Sequence, residues 1–149
     1  MKRSLLVEAD GGPLAVVVAG ANVPDHRLLE QTLDAVVLER PPVEVPDWLQ
    51  HLCLDAGYDN DPGYLAALDR AYLPHIASPR YPPPPPARRF PARRWVVERT
   101  LAWLNRWRGI LIRWEKHAEN YLGLLQFACA LLWFRRLHRL SASNRRYLR

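Results

Sequence analysis

Arg93-Arg94-Trp95-Val96-Val97-Glu98-Arg99-Thr100-Leu101-Ala102-Trp103-Leu104-Asn105-Arg106-Trp107-Arg108 sets one carboxylate among arginines and tryptophans in a strongly helical run. At about 100° per residue, Arg94, Glu98 and Asn105 fall within about 60° of one another, on a polar face. Val97, Leu101 and Leu104 line a separate apolar face suited to a core. Taken alone, Glu98 is the acid of an i,i+4 ion pair with Arg94, a contact worth roughly 0.3–0.5 kcal/mol. A chemical role for Glu98 turns on what surrounds this helix.

Upstream, Ser4–Ala9 and Pro13–Ala19 read as two strands joined by Asp10-Gly11-Gly12, whose glycines suit a tight hairpin. A helix follows over His26–Leu38 with Asp25 as its expected N-cap, and Leu28, Leu29, Leu33, Val36 and Val37 are expected to face the sheet. Arg40-Pro41-Pro42 ends it, because proline cannot continue the hydrogen-bond ladder. His51–Leu54 reads as a short buried strand with Asp55 at its carboxyl end. Strand ends are where side chains converge on ligands in open sheets, although many such residues only form turns. Asp61-Pro62 opens a helix to about Ala71, with Asp61 able to cap, and Tyr72–Ala77 is a further strand. A last helix is expected over Glu119–Arg139, with Arg135, Arg136, His138 and Arg139 at its end, where positive charge suits the dipole. The order of elements predicts a mixed α/β domain.

The net charge of +6 is unevenly spread. Residues 1–87 hold six Lys/Arg against twelve Asp/Glu, whereas residues 88–149 hold fifteen against three and five of the six tryptophans. A basic, aromatic half beside an acidic one suits a polyanion-binding surface next to a carboxylate-bearing one; a solubilising basic tail is the plainer alternative. Five consecutive prolines, Pro82–Pro86, dictate an extended spacer. Cys53 and Cys129 lack ligand spacing, which fits a reduced cytoplasmic chain better than a disulfide scaffold. No signal peptide is visible, and the longest apolar run, Tyr121–Phe134, has 14 residues against the ~20 that a bilayer requires, so no membrane partner is expected. The five histidines lack metal-site spacing, and no nucleophile elbow, P-loop or G-x-G-x-x-G is present.

Trp95-Val96-Val97-Glu98-Arg99-Thr100-Leu101-Ala102-Trp103-Leu104-Asn105-Arg106, followed by Ile112-Arg113-Trp114-Glu115-Lys116 and Glu119-Asn120-Tyr121-Leu122, resembles the end of bacterial insertion-sequence transposases of the DDE type. The likeness continues upstream through Leu52-Cys53-Leu54-Asp55-Ala56-Gly57-Tyr58-Asp59 and Pro13-Leu14-Ala15-Val16-Val17-Val18-Ala19-Gly20-Ala21-Asn22-Val23, in the family's order. The resemblance implies an α/β, partial ribonuclease-H-like mixed sheet with flanking helices. Residues 1–78 would form its core, 79–92 a proline-rich connector, and 93–149 the basic helical part of the same domain. It also implies phosphodiester cleavage and strand transfer with two divalent metals, Mg2+ or Mn2+, held by three carboxylates.

By that likeness Asp55 and Glu98 stand as the second and third catalytic, metal-binding carboxylates. The family places the first aspartate on a strand before Ser4–Ala9, which this sequence does not include; Asp10 and Asp25 read as turn and cap residues. An unpaired sheet edge, poor solubility or self-association is therefore expected. Arg94 matches the family's arginine four residues before the glutamate and would hold a phosphate near the metals, with Arg99 and Arg106 as further DNA contacts. Where the family commonly has a tyrosine and a lysine, this chain has Pro91 and Asn105. DNA is the implied partner, with an upstream reading-frame product and a second copy as further candidates, in a bacterial cytoplasm near the nucleoid. The alternatives are an inactive remnant that only binds DNA and a non-enzymatic basic interaction protein in which Glu98 is simply an ion-pair acid.

Overall fold

A computed structural model describes residues 1–39, 50–76 and 94–147, with side chains to Ser141 and without that of Arg94. The expected connector 79–92 lies outside the described residues. Strand β1 (Lys2–Val7) turns through Asp10-Gly11-Gly12 into β2 (Pro13–Ala19), antiparallel, with Leu5 opposite Val16. Helix α1 (Asp25–Asp34) follows, then β3 (Gln50–Leu54), a 3-10 turn over Ala56–Tyr58, α2 (Asp61–Leu68) and β4 (Tyr72–Ile76). Strands β3 and β4 run parallel, with Cys53 opposite His75. The basic half supplies α3 (Arg94–Leu104), the single-turn α4 (Arg108–Leu111) and the long α5 (Ala118–Tyr147).

The mixed α/β class is as expected, but the sheet is not continuous. Among the described residues β1 pairs only with β2 and β3 only with β4, giving two two-stranded sheets. Successive residues of β1 face opposite layers, as strand geometry requires. Leu5 packs on a core built from Val16, Leu104, Tyr121, Leu125 and Ala128, whereas Leu6 packs on another built from Leu29, Leu33, Leu52, Ala67 and Tyr72.

Several local expectations shift by a turn or a residue. Helix α1 stops at Asp34 rather than Leu38, so Leu28, Leu29 and Leu33 are buried but Val37 is 89% exposed. Asp25 is its first helical residue, not a side-chain cap, and pairs instead with Lys2 at 2.8 Å. Asn60, not Asp61, caps α2: its Oδ1 accepts from the Gly63 amide at 2.9 Å, an arrangement worth about 1 kcal/mol. On α3 the buried stripe is Val96, Thr100 and Leu104, rotated from the expected Val97–Leu101–Leu104 face. The reason is polar. Thr100 donates its hydroxyl to the Gly11 carbonyl at 2.8 Å, so the threonine is turned inward and Val97 and Leu101 are left half-buried.

Candidate active-site groove

Between the two sheets runs a groove of about 810 Å³. Its walls are the consecutive residues Arg3–Ala9, from β1 and the start of its turn, and Gln50–Asp55, from β3 and the residue after it, with Leu29 and Leu33 from α1 and Val97, Glu98 and Leu101 from α3. Asp55 stands where β3 ends, because the chain turns there into the Ala56–Tyr58 helix; its Oδ1 accepts from the Ala56 amide at 2.7 Å and begins that turn. Glu98 is exposed on α3, one residue along from half-buried Val97. The fold thus brings the two expected carboxylates, far apart in sequence, onto one groove.

Tyr58 lines the same groove. Burial, and then the negative charges of Asp25 and Asp55, push its phenol above the ordinary tyrosine range. Among the described residues no three or more His, Cys, Asp or Glu side chains gather in a metal-holding group. The groove therefore offers carboxylate oxygens, the donors that Mg2+ prefers, but not a closed ligand set.

The expected DNA-contacting arginines fare differently. The Arg94 side chain lies outside the described residues. Arg99 stacks between Trp95 and Trp103, its guanidinium carbon 4.6 and 5.0 Å from their ring centres, and donates to the Asp10 carbonyl at 2.6 Å. Its Nε is buried and finds no acceptor among the described residues. Arg106, just beyond α3, is exposed. Arg3, in the groove wall, donates to the Asn105 side chain at 2.8 Å, drawing Asn105 away from a purely solvated role.

Sequence reasoning missed Glu8 and Arg136. Glu8 accepts from the amides of Asp10 and Gly12 at 2.9 and 2.8 Å and from the Arg136 guanidinium, which also reaches Asp10 at 3.1 Å. Burial raises the Glu8 carboxyl, but those donors and the Arg136 charge outweigh it and hold the group below its usual range. A carboxylate just before a Gly-Gly turn is a local signal for such a bond. Its partner on α5 had none.

The histidines lack metal-site spacing in the sequence, but the fold joins two of them, His51 and His75. The parallel register brings their rings together, Nδ1 to Nε2 at 2.5 Å, on the exposed side of β3 and β4.

Residues 1–133 match the family described as the transposase DDE domain. The chain belongs to that family. It is 34% identical over 146 residues to a protein of Burkholderia cepacia named as transposase for insertion sequence element IS402, a match covering 95% of this chain and 66% of that protein. No solved structure matches the chain. No described helix is long and apolar enough to cross a membrane.

Proposed function

We propose that the groove is part of the catalytic centre of an insertion-sequence transposase with a ribonuclease-H-like fold, and that Asp55 and Glu98 are two of its metal-binding carboxylates. The observation that carries this reading is that both residues line one groove although a strand, a helix and the whole 77–93 stretch separate them in the chain. A bound divalent cation, Mg2+ or Mn2+, would activate the attacking oxygen and stabilise the leaving one on a DNA phosphodiester. The protein's own part is placement. Asp55 is fixed by its bond to the Ala56 amide, and Glu98 by a helix whose buried stripe is locked to the hairpin through Thr100. The basic half, with Arg94, Arg99 and Arg106 among the arginines on either side of Glu98, supplies charge for the DNA backbone. Residues 1–78 and 93–149 act as one catalytic unit joined by 79–92, working on DNA in the cytoplasm, with further polypeptide or a second copy completing the ligand set.

The test is excision of the element in cells. Glu98→Gln and Asp55→Asn should each reduce excision to background while filter binding to DNA stays within about twofold of the parent and keeps a steep salt dependence. Excision retained in either variant removes that residue from the centre.

A further inference from the structure

We infer that the outer face of α5 is a homodimer surface on which a second copy lays its own α5 antiparallel, with Phe127 against the partner's Ala130 and Phe134 against the partner's Gly123. The surface is separate from the groove and uses neither Asp55 nor Glu98.

Sequence and burial define the face. From Asn120 to Phe134 helix α5 carries no charged residue, and a helix apolar on every side is ordinarily buried on every side. This one is not. Its inner face enters the core through Tyr121, Leu125 and Ala128. At about 100° per residue, Gly123, Phe127, Ala130 and Phe134 all lie within about 40° of the direction opposite Leu125. All four are exposed there, Phe127 by 59% and Phe134 by 67%. Leu137, next at the same spacing, is exposed as well. Alternating steps of four and three residues make the seam of a two-helix coiled coil rather than a scatter of surface apolar groups.

The order of sizes along the seam says what covers it. Glycine is the poorest helix former after proline, yet a Cβ at Gly123 would meet nothing within 4 Å. The chain's own packing therefore gives no reason for a glycine there, whereas a bulky side chain from a neighbour does. In an antiparallel pair with a two-fold axis level with the Ala128–Cys129 peptide, each residue faces the one equally far beyond the axis. Phe127 then meets the partner's Ala130, and Phe134 the partner's Gly123. Every such layer holds one ring and one small residue, as close packing requires. Parallel pairing would set ring on ring and glycine on glycine.

Charge favours the same direction. Glu119 stands in the first turn of α5, and Arg135 and Arg139 lie near the end of its described side chains. Antiparallel packing brings each acidic first turn to the level of the partner's basic end and opposes the two helix dipoles. Parallel packing would place the two basic ends side by side.

The area sets the strength. Phenylalanines bury about 200 Å² each, so at these exposures the four rings of the pair would remove about 500 Å² from water. That is under half of the roughly 1,200 Å² of the smallest standard interfaces, so a weak and reversible dimer is expected, with Kd of about 10–100 µM.

Sedimentation velocity of the full chain, without metal or DNA, tests this. The parent should dimerise reversibly. Phe127→Lys and Ala130→Asp, both at exposed positions, should each weaken the dimer by about tenfold or more. A one-to-one mixture of the two should associate again, because the lysine of one faces the aspartate of the other while the second layer keeps phenylalanine on alanine. Gly123→Ala should raise the melting temperature of dilute protein and yet weaken the dimer, two signs that a purely structural glycine would not give. Should either charged variant lose its cooperative melt, Phe134→Lys mixed with Gly123→Asp repeats the experiment at the other layer. Three outcomes overturn the inference. A parent that stays monomeric to about 500 µM leaves the face to other polypeptide, such as the third of the Burkholderia relative that lies outside the match. Association unchanged in both variants places the contact elsewhere, at the strand edges for instance. Variants that weaken the dimer but do not recover on mixing show that the helices do not pair antiparallel in this register.

Discussion

The β1–β2 hairpin and the β3–β4 pair are both two-stranded sheets beside one groove, but they are anchored by different physics. The hairpin is held at its turn by directional polar contacts: Thr100 to the Gly11 carbonyl, Arg99 to the Asp10 carbonyl, Trp133 to the Pro13 carbonyl at 2.7 Å, and Arg136 to Glu8 and Asp10. Strands β3 and β4 rest on α1 and α2 mainly through the packing of Leu29, Leu33, Leu52, Ala66, Ala67 and Tyr72, with the Arg70–Asp34 ion pair tying the two helices together at 2.6 Å. Apolar packing decides which face of a strand is inward, while the hydrogen bonds also fix the position of the turn along α3. The difference places the demand for precision on the side that carries Glu98.

The largest effect should come from Leu125→Ala, which empties a fully buried position in the core under the hairpin. A loss of about 2–5 kcal/mol is expected from urea unfolding, with faster exchange in β2 than in β3. Equal acceleration in both sheets would mean that the two cores are one cooperative unit and would remove the contrast.

Next in size is Gly12→Ala. A Cβ there would collide with the Trp133 ring, and Gly11 beside it has φ of +91°, so the turn can give way in few directions. Overpacking of this kind costs about 1–3 kcal/mol and should leave β3 and β4 untouched.

The smallest expected effect is that of pH. Glu8 has a depressed carboxyl pKa, so its contribution is complete above the unfolded-state value, roughly 4.3, and disappears as pH falls through the lower folded-state value. Glu8→Gln should therefore lower the melting temperature at pH 7, and the gap from the parent should close under strong acid. A gap that persists there would show that the carboxylate charge contributes nothing to the clasp.

The strands, the Asp-Gly-Gly turn and the helix around Glu98 were legible in the sequence because each is set by local pattern. Asp55 at a strand end and Glu98 on an arginine-rich helix could be singled out, but only the family's wording joined them. Thr100 was not legible as a core residue, since the Gly11 carbonyl that its hydroxyl meets in addition to that of Val96 comes from a turn 89 residues earlier. The same holds for Arg136, whose expected role at the basic end of α5 gives way to a clasp on a turn 126 residues earlier. The separation of the strands into two sheets depends on what lies between β1 and β3, and neither strand's own residues encode it.

The two cysteines divide the molecule chemically. Cys129, in the core beneath the hairpin, has its thiol pushed by burial up to about 11, leaving about one part in ten thousand as thiolate at neutral pH. Cys53 is exposed and stands in the β3 wall of the groove. A thiol-directed dye therefore attaches at the groove and spares the core, giving the native sequence a built-in optical reporter of whatever enters between the sheets.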